Sequence, residues 1–72
     1  MMEESQQAKF NKIMRKATYY RQNYRFKEAI AEYIVAKNYA EDVCDYISAG
    51  KAEIAIQNCK NEKCELDNFV RY

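Results

Sequence analysis

The stretch YRQNYRFKEAIAEYIVA, residues 20–36, decides the fold class of this chain. Its apolar residues recur at intervals of three or four positions, a spacing that places them along one side of an α-helix. They are Phe26, Ala29, Ile30, Tyr33 and Ile34. This stripe predicts a helix over residues 26–37, with Asn23 before it and Asn38 after it as residues that tolerate the backbone conformation at a helix end.

The residues before this stretch follow the same spacing. Their apolar stripe consists of Phe10, Ile13, Met14, Ala17, Tyr20 and Tyr24. It predicts a first helix over residues 4–23.

Beyond Asn38 the sequence predicts three shorter helices. The first begins at Asn38, a residue type that caps helix N-termini, and ends at Gly50, the single glycine of the chain. The second covers residues 51–60, and the third covers residues 62–70. The residues expected to face inward are Ala40, Val43, Cys44, Ile47, Ala52, Ala55, Ile56, Cys59, Leu66, Phe69 and Val70.

Length and composition agree with this pattern. The chain has 72 residues, no Pro and one Gly, so the usual turn signals of hairpins and sandwiches are missing. We therefore expect one all-α domain over residues 1–72, a small bundle or stack of four to five short helices. Because a core of this size is only marginally stable, we also expect a homo-oligomer or a protein stabilised by its partner.

Residues 13–46 resemble a single tetratricopeptide repeat, a helical hairpin. The residues that match the pattern of this family are Ala17, Tyr20, Phe26, Ala29, Tyr33 and Ala36. The chain departs from the pattern at Tyr24, where the family usually has Gly, and at Glu41, where it usually has Pro. The resemblance implies a hairpin packed through contacts between alanines and aromatic rings, and in that family such hairpins bind other proteins.

The sequence offers little for catalysis or for a cofactor. It contains no His, the side chain best suited to acid-base chemistry near neutral pH. A zinc site would need Cys44, Cys59 and Cys64 together with a carboxylate, but Cys44 and Cys59 fall within apolar stripes, where Cys acts as a small apolar residue. We expect neither enzymatic activity nor a cofactor nor a metal, and we expect Cys64 to be an exposed thiol.

The charges are unevenly distributed along the chain. Residues 1–30 hold seven Lys and Arg against three Glu, whereas residues 31–72 hold five against eight Asp and Glu. Several of the basic residues project from the first helix opposite its apolar stripe, together with one tyrosine. We call the following set the basic surface: Lys9, Lys12, Arg15, Lys16, Tyr19 and Arg25. Exposed Tyr beside Arg is typical of interaction hot spots, although basic residues also serve simply to keep a helix face soluble.

These features predict a small non-catalytic module that binds another protein through the basic surface. A short chain rich in Lys, Asn and Tyr is also typical of accessory proteins encoded by phages or mobile elements, which inhibit or modulate a host protein by occupying its surface. The alternative is a small transcriptional regulator that binds nucleic acid through the same residues. The chain lacks an apolar run long enough to span a membrane, and its start lacks a signal-peptide pattern. We therefore expect a cytoplasmic protein with no membrane partner.

Overall fold

The computed structural model of the protein describes the backbone of residues 2–70 and the side chains of residues 2–65. Within this part of the chain there are three α-helices and no strand: α1 (Glu4–Gln22), α2 (Phe26–Asp42) and α3 (Tyr46–Val70). The predicted all-α fold is confirmed, but the predicted number of four to five helices is wrong. The inward positions predicted for Leu66, Phe69 and Val70 concern side chains outside the described residues.

The predicted boundaries at Asn38 and Gly50 do not exist. Asn38 lies inside α2, and Gly50 lies inside α3 with a negative φ angle. A single glycine destabilises a helix by only about 1 kcal/mol relative to alanine. Packing on both sides of Gly50 outweighs that penalty, because Ala49 and Ala52 are buried in the core. The helices predicted over residues 51–60 and 62–70 are therefore parts of α3.

The two connections between helices share one backbone geometry. Tyr24 and Cys44 each adopt a left-handed conformation, with φ angles of 62° and 60°. In the first turn the Tyr24 N–H donates to the Arg21 carbonyl (3.0 Å) and the Arg25 N–H donates to the Tyr20 carbonyl (2.8 Å). This pair of hydrogen bonds defines a Schellman motif, which satisfies carbonyls left free at a helix C-terminus.

The second turn repeats these contacts. The Cys44 N–H donates to the Glu41 carbonyl (3.0 Å), and the Asp45 N–H donates to the Ala40 carbonyl (2.8 Å). The left-handed residue of each turn is thus Tyr24 or Cys44, whereas Asn23 is the C-cap of α1 with φ of −96°. Tyr24 and Cys44 were predicted to face the core, but both are exposed, because each lies in a turn outside the helix.

Alanines and a few larger side chains form the core. The two contiguous groups of buried residues are Ala17, Phe26, Ala29, Tyr33, Ile56 and Cys59, and Phe10, Ala36, Ala40, Ala49 and Ala52. Ile47 was predicted to be buried but is 77% exposed. The turn at Cys44 rotates α3 relative to α2, so the stripe that runs through Ala40 does not continue to Ile47.

α2 is the central helix of the bundle. It packs against both α1 and α3, whereas the backbones of α1 and α3 hardly approach each other. The Cα trace extends over 48 × 18 × 12 Å, so the molecule is an elongated slab. This arrangement leaves one outward face on every helix.

Candidate interaction surface on α1

Local contacts fix where α1 begins. The backbone N–H of Glu3 donates to the side-chain oxygen Oε1 of Gln6 (2.9 Å), and the Gln7 N–H donates to the Glu3 carbonyl (2.8 Å). From this start the helical period turns Phe10 and Ala17 towards the core, where both are buried. The same period therefore turns the cationic residues of α1 outward.

All residues of the basic surface are exposed. Lys12, Arg15 and Tyr19 lie along the outer side of α1, opposite Phe10 and Ala17, and Tyr19 is 63% exposed. Arg25 lies in the turn beyond the end of α1, so it does not belong to the helix surface itself.

Two members of the basic surface contact α2. The Nζ atom of Lys9 lies 5.1 Å from the centre of the Tyr39 ring, a cation–π contact. The Nζ atom of Lys16 lies 3.6 Å from the Glu32 carboxylate. Both contacts are at the border between α1 and α2, which leaves Lys12, Arg15 and Tyr19 as the central part of the basic surface.

A shallow, open groove of about 320 Å³ runs along α1 beside these residues. It is lined by Asn11, Met14, Arg15, Thr18, Tyr19 and Gln22. The groove combines the apolar Met14 side chain with a guanidinium group, a phenol and side-chain amides. All six residues belong to α1, so the groove is a shallow depression on one helix. It offers apolar contact area and polar atoms to a partner that lies against it.

The sequence prediction of the basic surface did not include Asn11, Met14, Thr18 or Gln22. Met14 was assigned to the apolar stripe, yet it is only half-buried and also lines the groove. The signal was present in the spacing, because these residues recur three or four positions apart on one side of α1.

The hydroxyl of Thr18 connects the groove to the core. Thr18 Oγ1 donates to the Met14 carbonyl (2.9 Å) and lies 2.9 Å from the hydroxyl of Tyr33 on α2. Since a hydroxyl has one proton, Tyr33 must donate to Thr18. Tyr33 is buried, so this hydrogen bond, together with the packing of the core, sets the rotation of α1 on α2.

An ion pair ties the end of α1 to α3. The guanidinium of Arg21 donates to both carboxylate oxygens of Glu62. The hydrogen bond from Arg21 lowers the pKa of Glu62, and the bond to Glu62 raises the pKa of Arg21. Because Arg21 and Glu62 belong to different helices, we assign this pair a structural role.

Two further contacts with shifted pKa values hold the frame together. Lys37 on α2 donates to Glu53 on α3 (2.9 Å), which lowers the pKa of the Glu53 carboxyl and raises that of Lys37. At the start of α3 the Ser48 N–H donates to Asp45 Oδ1 (3.1 Å) and lowers the pKa of that carboxyl. This is the geometry of a helix N-cap, and we assign Asp45 that role.

One of the three cysteines is buried and the other two are exposed. Cys59 is fully buried in the core, and burial raises the pKa of its thiol. Cys64 is exposed, as predicted, but Cys44 is also exposed, so its predicted role as a core residue is wrong. Within residues 2–65, no three Cys, Asp or Glu side chains converge in a way that could hold a metal ion.

Along residues 2–70, none of the helices combines the length and the apolar character needed to cross a membrane. Comparisons with family models, curated proteins and solved structures give no match to this chain. Any assignment of function must therefore come from the geometry of its own residues.

Proposed function

We propose that this protein is a non-catalytic binding module whose basic surface contacts an acidic region of a partner protein. The observation that carries the proposal is the combination of exposed cations, an exposed tyrosine ring and a shallow groove on one side of α1. Arg and Tyr are enriched among the residues that dominate binding energies. Tyr offers a large ring with only two χ angles, and Arg offers a planar charged group with five N–H donors.

The scaffold supports this proposal because α1 is held in place from two sides. Tyr33 of α2 bonds to Thr18, and Glu62 of α3 bonds to Arg21. A helix fixed in this way loses little conformational freedom when it binds. The backbone of α1 beneath the basic surface is therefore preorganised for contact.

The resemblance to a tetratricopeptide repeat agrees with a protein-binding role. The residues that carry it are buried or half-buried in the described structure: Ala17, Tyr20, Phe26, Ala29, Tyr33 and Ala36. A contact between alanines and aromatic rings is what that hairpin architecture uses. We extend the proposal to an accessory protein, of the kind that phages or mobile elements encode, which inhibits or modulates a host protein by covering part of its surface.

Charge favours a protein partner over nucleic acid. The net charge of the chain is only +1, and Lys9 and Lys16 already contact Tyr39 and Glu32. These two lysines would contribute less to phosphate neutralisation than their number suggests. Nucleic-acid binding through the basic surface remains the second candidate function, and its distinguishing property is an affinity that falls steeply with salt.

The test is capture of a partner from nuclease-treated lysate of the native cell, followed by mass spectrometry and by measurement of the affinity for the captured protein. We expect Arg15→Ala and Tyr19→Ala each to weaken binding by about thirtyfold or more, which corresponds to the loss of about 2 kcal/mol or more that defines a hot-spot residue. The matched control is Lys51→Ala, an exposed lysine of α3, which should leave the affinity unchanged.

Circular dichroism must show the same helical signal for all variants. If Arg15→Ala and Tyr19→Ala bind the captured protein as tightly as Lys51→Ala does, the basic surface is not the binding site. A parallel capture uses lysate that has not been treated with nuclease. If this capture recovers only nucleic acid, and the nucleic acid is lost at high salt, the second candidate function replaces the first.

A further inference from the structure

Lys12 lies at the centre of a group of positive charges on α1. On a helix surface, the neighbours of a side chain are three and four positions away along the chain. The neighbours of Lys12 are Ala8, Lys9, Arg15 and Lys16. Three of these four are cations, and like charges at such positions destabilise a helix. No acidic residue nearby in the sequence offsets them, because residues 5–27 contain seven Lys and Arg and no Asp or Glu.

The other helices neutralise only part of this charge. Lys9 and Lys16 each contact a side chain of α2. Within residues 2–65, by contrast, the side chains of Lys12 and Arg15 have no hydrogen bond and no ion pair. Both are exposed on the outer side of α1. The negative charge that complements these two cations must therefore come from another molecule.

The surface around the two cations limits how a partner can bind there. Backbone N–H and C=O groups in the middle of α1 bond to each other within the helix. The part of the chain whose backbone is described, residues 2–70, also has no strand whose edge a partner strand could extend. Recognition therefore depends on side chains alone. We call the following exposed residues of α1 the outer line: Ala8, Lys12, Arg15, Tyr19 and Gln22.

The outer line has the spacing of a contact between two helices. Its residues are separated alternately by four and three positions, which keeps them on one side of α1 and is the spacing along which helices pack side by side. The charges lie in the middle of the line, whereas Ala8 and Gln22 at its ends are neutral. We propose that the acidic region of the partner is an α-helix that lies along the outer line, an inference that rests on the proposed function of the basic surface.

The chemistry of the outer line specifies the side chains of this partner helix. Lys12 and Arg15 are three residues apart, so two carboxylates one turn apart on the partner face them. The planar guanidinium of Arg15 binds both oxygens of one carboxylate, and the ammonium of Lys12 pairs with the other carboxylate. Beyond Arg15 the surface is uncharged, because the Tyr19 ring lies beside Met14 in the groove. An apolar side chain of the partner, one turn beyond its carboxylates, fits this end.

The test titrates the full chain with synthetic peptides and follows its N–H signals by NMR. The outer line is about 21 Å long at 1.5 Å per residue, so helices of about 20 residues cover it. The first peptide carries two Glu and one Leu, each one turn after the last, on one side of an alanine-rich helix. The second has the same composition with these residues on different sides, and the third has the order of the first with a Pro between the two Glu.

We expect the first peptide to bind about tenfold more tightly than either of the others, because only it can present both carboxylates and the Leu together. Circular dichroism must show equal helicity for the first and second peptides. The first peptide should shift the backbone signals of the outer line and the side-chain Nε–H signal of Arg15. Arg15→Ala should weaken its binding about thirtyfold, and Lys12→Ala should weaken it about threefold. The matched control is Lys51→Ala, which should leave the affinity unchanged.

Equal affinity for the first and second peptides overturns the proposal. So do the absence of binding by the first peptide, signal shifts confined to other parts of the chain, and tighter binding of a short oligonucleotide along the outer line. Partner capture distinguishes this failure from failure of the proposed function. If Arg15→Ala weakens binding of the captured protein but the first peptide is not preferred, the partner is not helical there and the proposed function stands. If Arg15→Ala leaves binding of the captured protein unchanged, the proposed function itself is wrong.

Discussion

Replacing Cys44 by glycine is expected to stabilise the protein. Cys44 adopts a left-handed conformation with φ of 60°, which costs a residue with a Cβ atom about 1–2 kcal/mol. Glycine adopts this conformation without steric conflict, but it also gains freedom in the unfolded chain, which offsets about 0.5–1 kcal/mol. The Cys44 side chain is exposed, so no core packing is lost. We therefore expect a net gain of about 0.5–1 kcal/mol in the free energy of unfolding.

The measurement is urea unfolding followed by circular dichroism, supported by thermal scans. For a domain of this size, a gain of that order raises Tm by about 2–8 °C. All samples must have the same protein concentration, because stability depends on concentration when a protein associates. The matched control is Cys44→Ala, which removes the thiol but keeps the Cβ atom. If Cys44→Gly is no more stable than Cys44→Ala, the left-handed turn does not hold the strain that its backbone angle indicates.

The equivalent turn at Tyr24 gives a second prediction, for the substitution Tyr24→Gly. Tyr24 has φ of 62°, so Tyr24→Gly should gain the same backbone energy. The Tyr24 ring, however, meets the Phe26 ring edge-on with centroids 6.1 Å apart, a contact of about 0.5–1.5 kcal/mol. The gain in backbone energy and the loss of the ring contact therefore nearly cancel. Tyr24→Gly should thus be close to neutral while Cys44→Gly is stabilising, and equal gains for both would show that the ring contact contributes nothing.

Two predictions concern the contacts that hold α1. Tyr33→Phe should lower the free energy of unfolding by about 1 kcal/mol, because it removes the hydrogen bond to Thr18, and a double-mutant cycle with Thr18→Val measures that bond directly. An interaction energy of zero in the cycle would rule the bond out as a stabilising contact. The hydrogen bond from Arg21 lowers the pKa of Glu62 below its usual value of 4.5. The ionised Glu62 therefore stabilises the folded protein above pH 4.5, and this stabilisation is lost as the pH falls through the lowered pKa. The difference in stability between the natural chain and Arg21→Gln should therefore shrink from about pH 7 to about pH 2.5, and a constant difference would contradict the ion pair.

The helical spacing was sufficient to predict α1 and the start of α2. Residues 4–23 were predicted for α1, against Glu4–Gln22 in the structure, and α2 begins at Phe26 as predicted. The apolar stripes of these helices are long and regular, and they include the buried residues Phe10 and Tyr33. A pattern that spans several turns outweighs the preference of any single residue.

The later boundaries could not be predicted, because they depend on packing and not on residue type. Asn38 and Gly50 favour helix ends by about 1 kcal/mol each, and burial of Ala40 and Ala52 beside them outweighs that preference. The true turn centred on Cys44 contains no glycine, so the sequence carries no signal for its left-handed residue.

For the basic surface, the exposure of its residues could be predicted from the sequence, but their contacts could not. Its exposure follows from the helical period, and the structure places every member at the surface. The contacts of Lys9 with Tyr39 and of Lys16 with Glu32 depend on how α2 is set against α1. That register is fixed in part by the hydrogen bond of Tyr33, which no local pattern reveals.

The two matching turns give the chain a modular construction. Each unit consists of a helix followed by a Schellman turn, and the next helix is laid back against the one before it. The interior is nevertheless common to all three helices, because each of the two buried groups contains residues of α1, α2 and α3. A change of angle at either turn would therefore disturb the packing of the whole bundle. The contact between neighbouring helices is lined by fully buried alanines such as Ala29 and Ala36, where a larger side chain would push the helices apart.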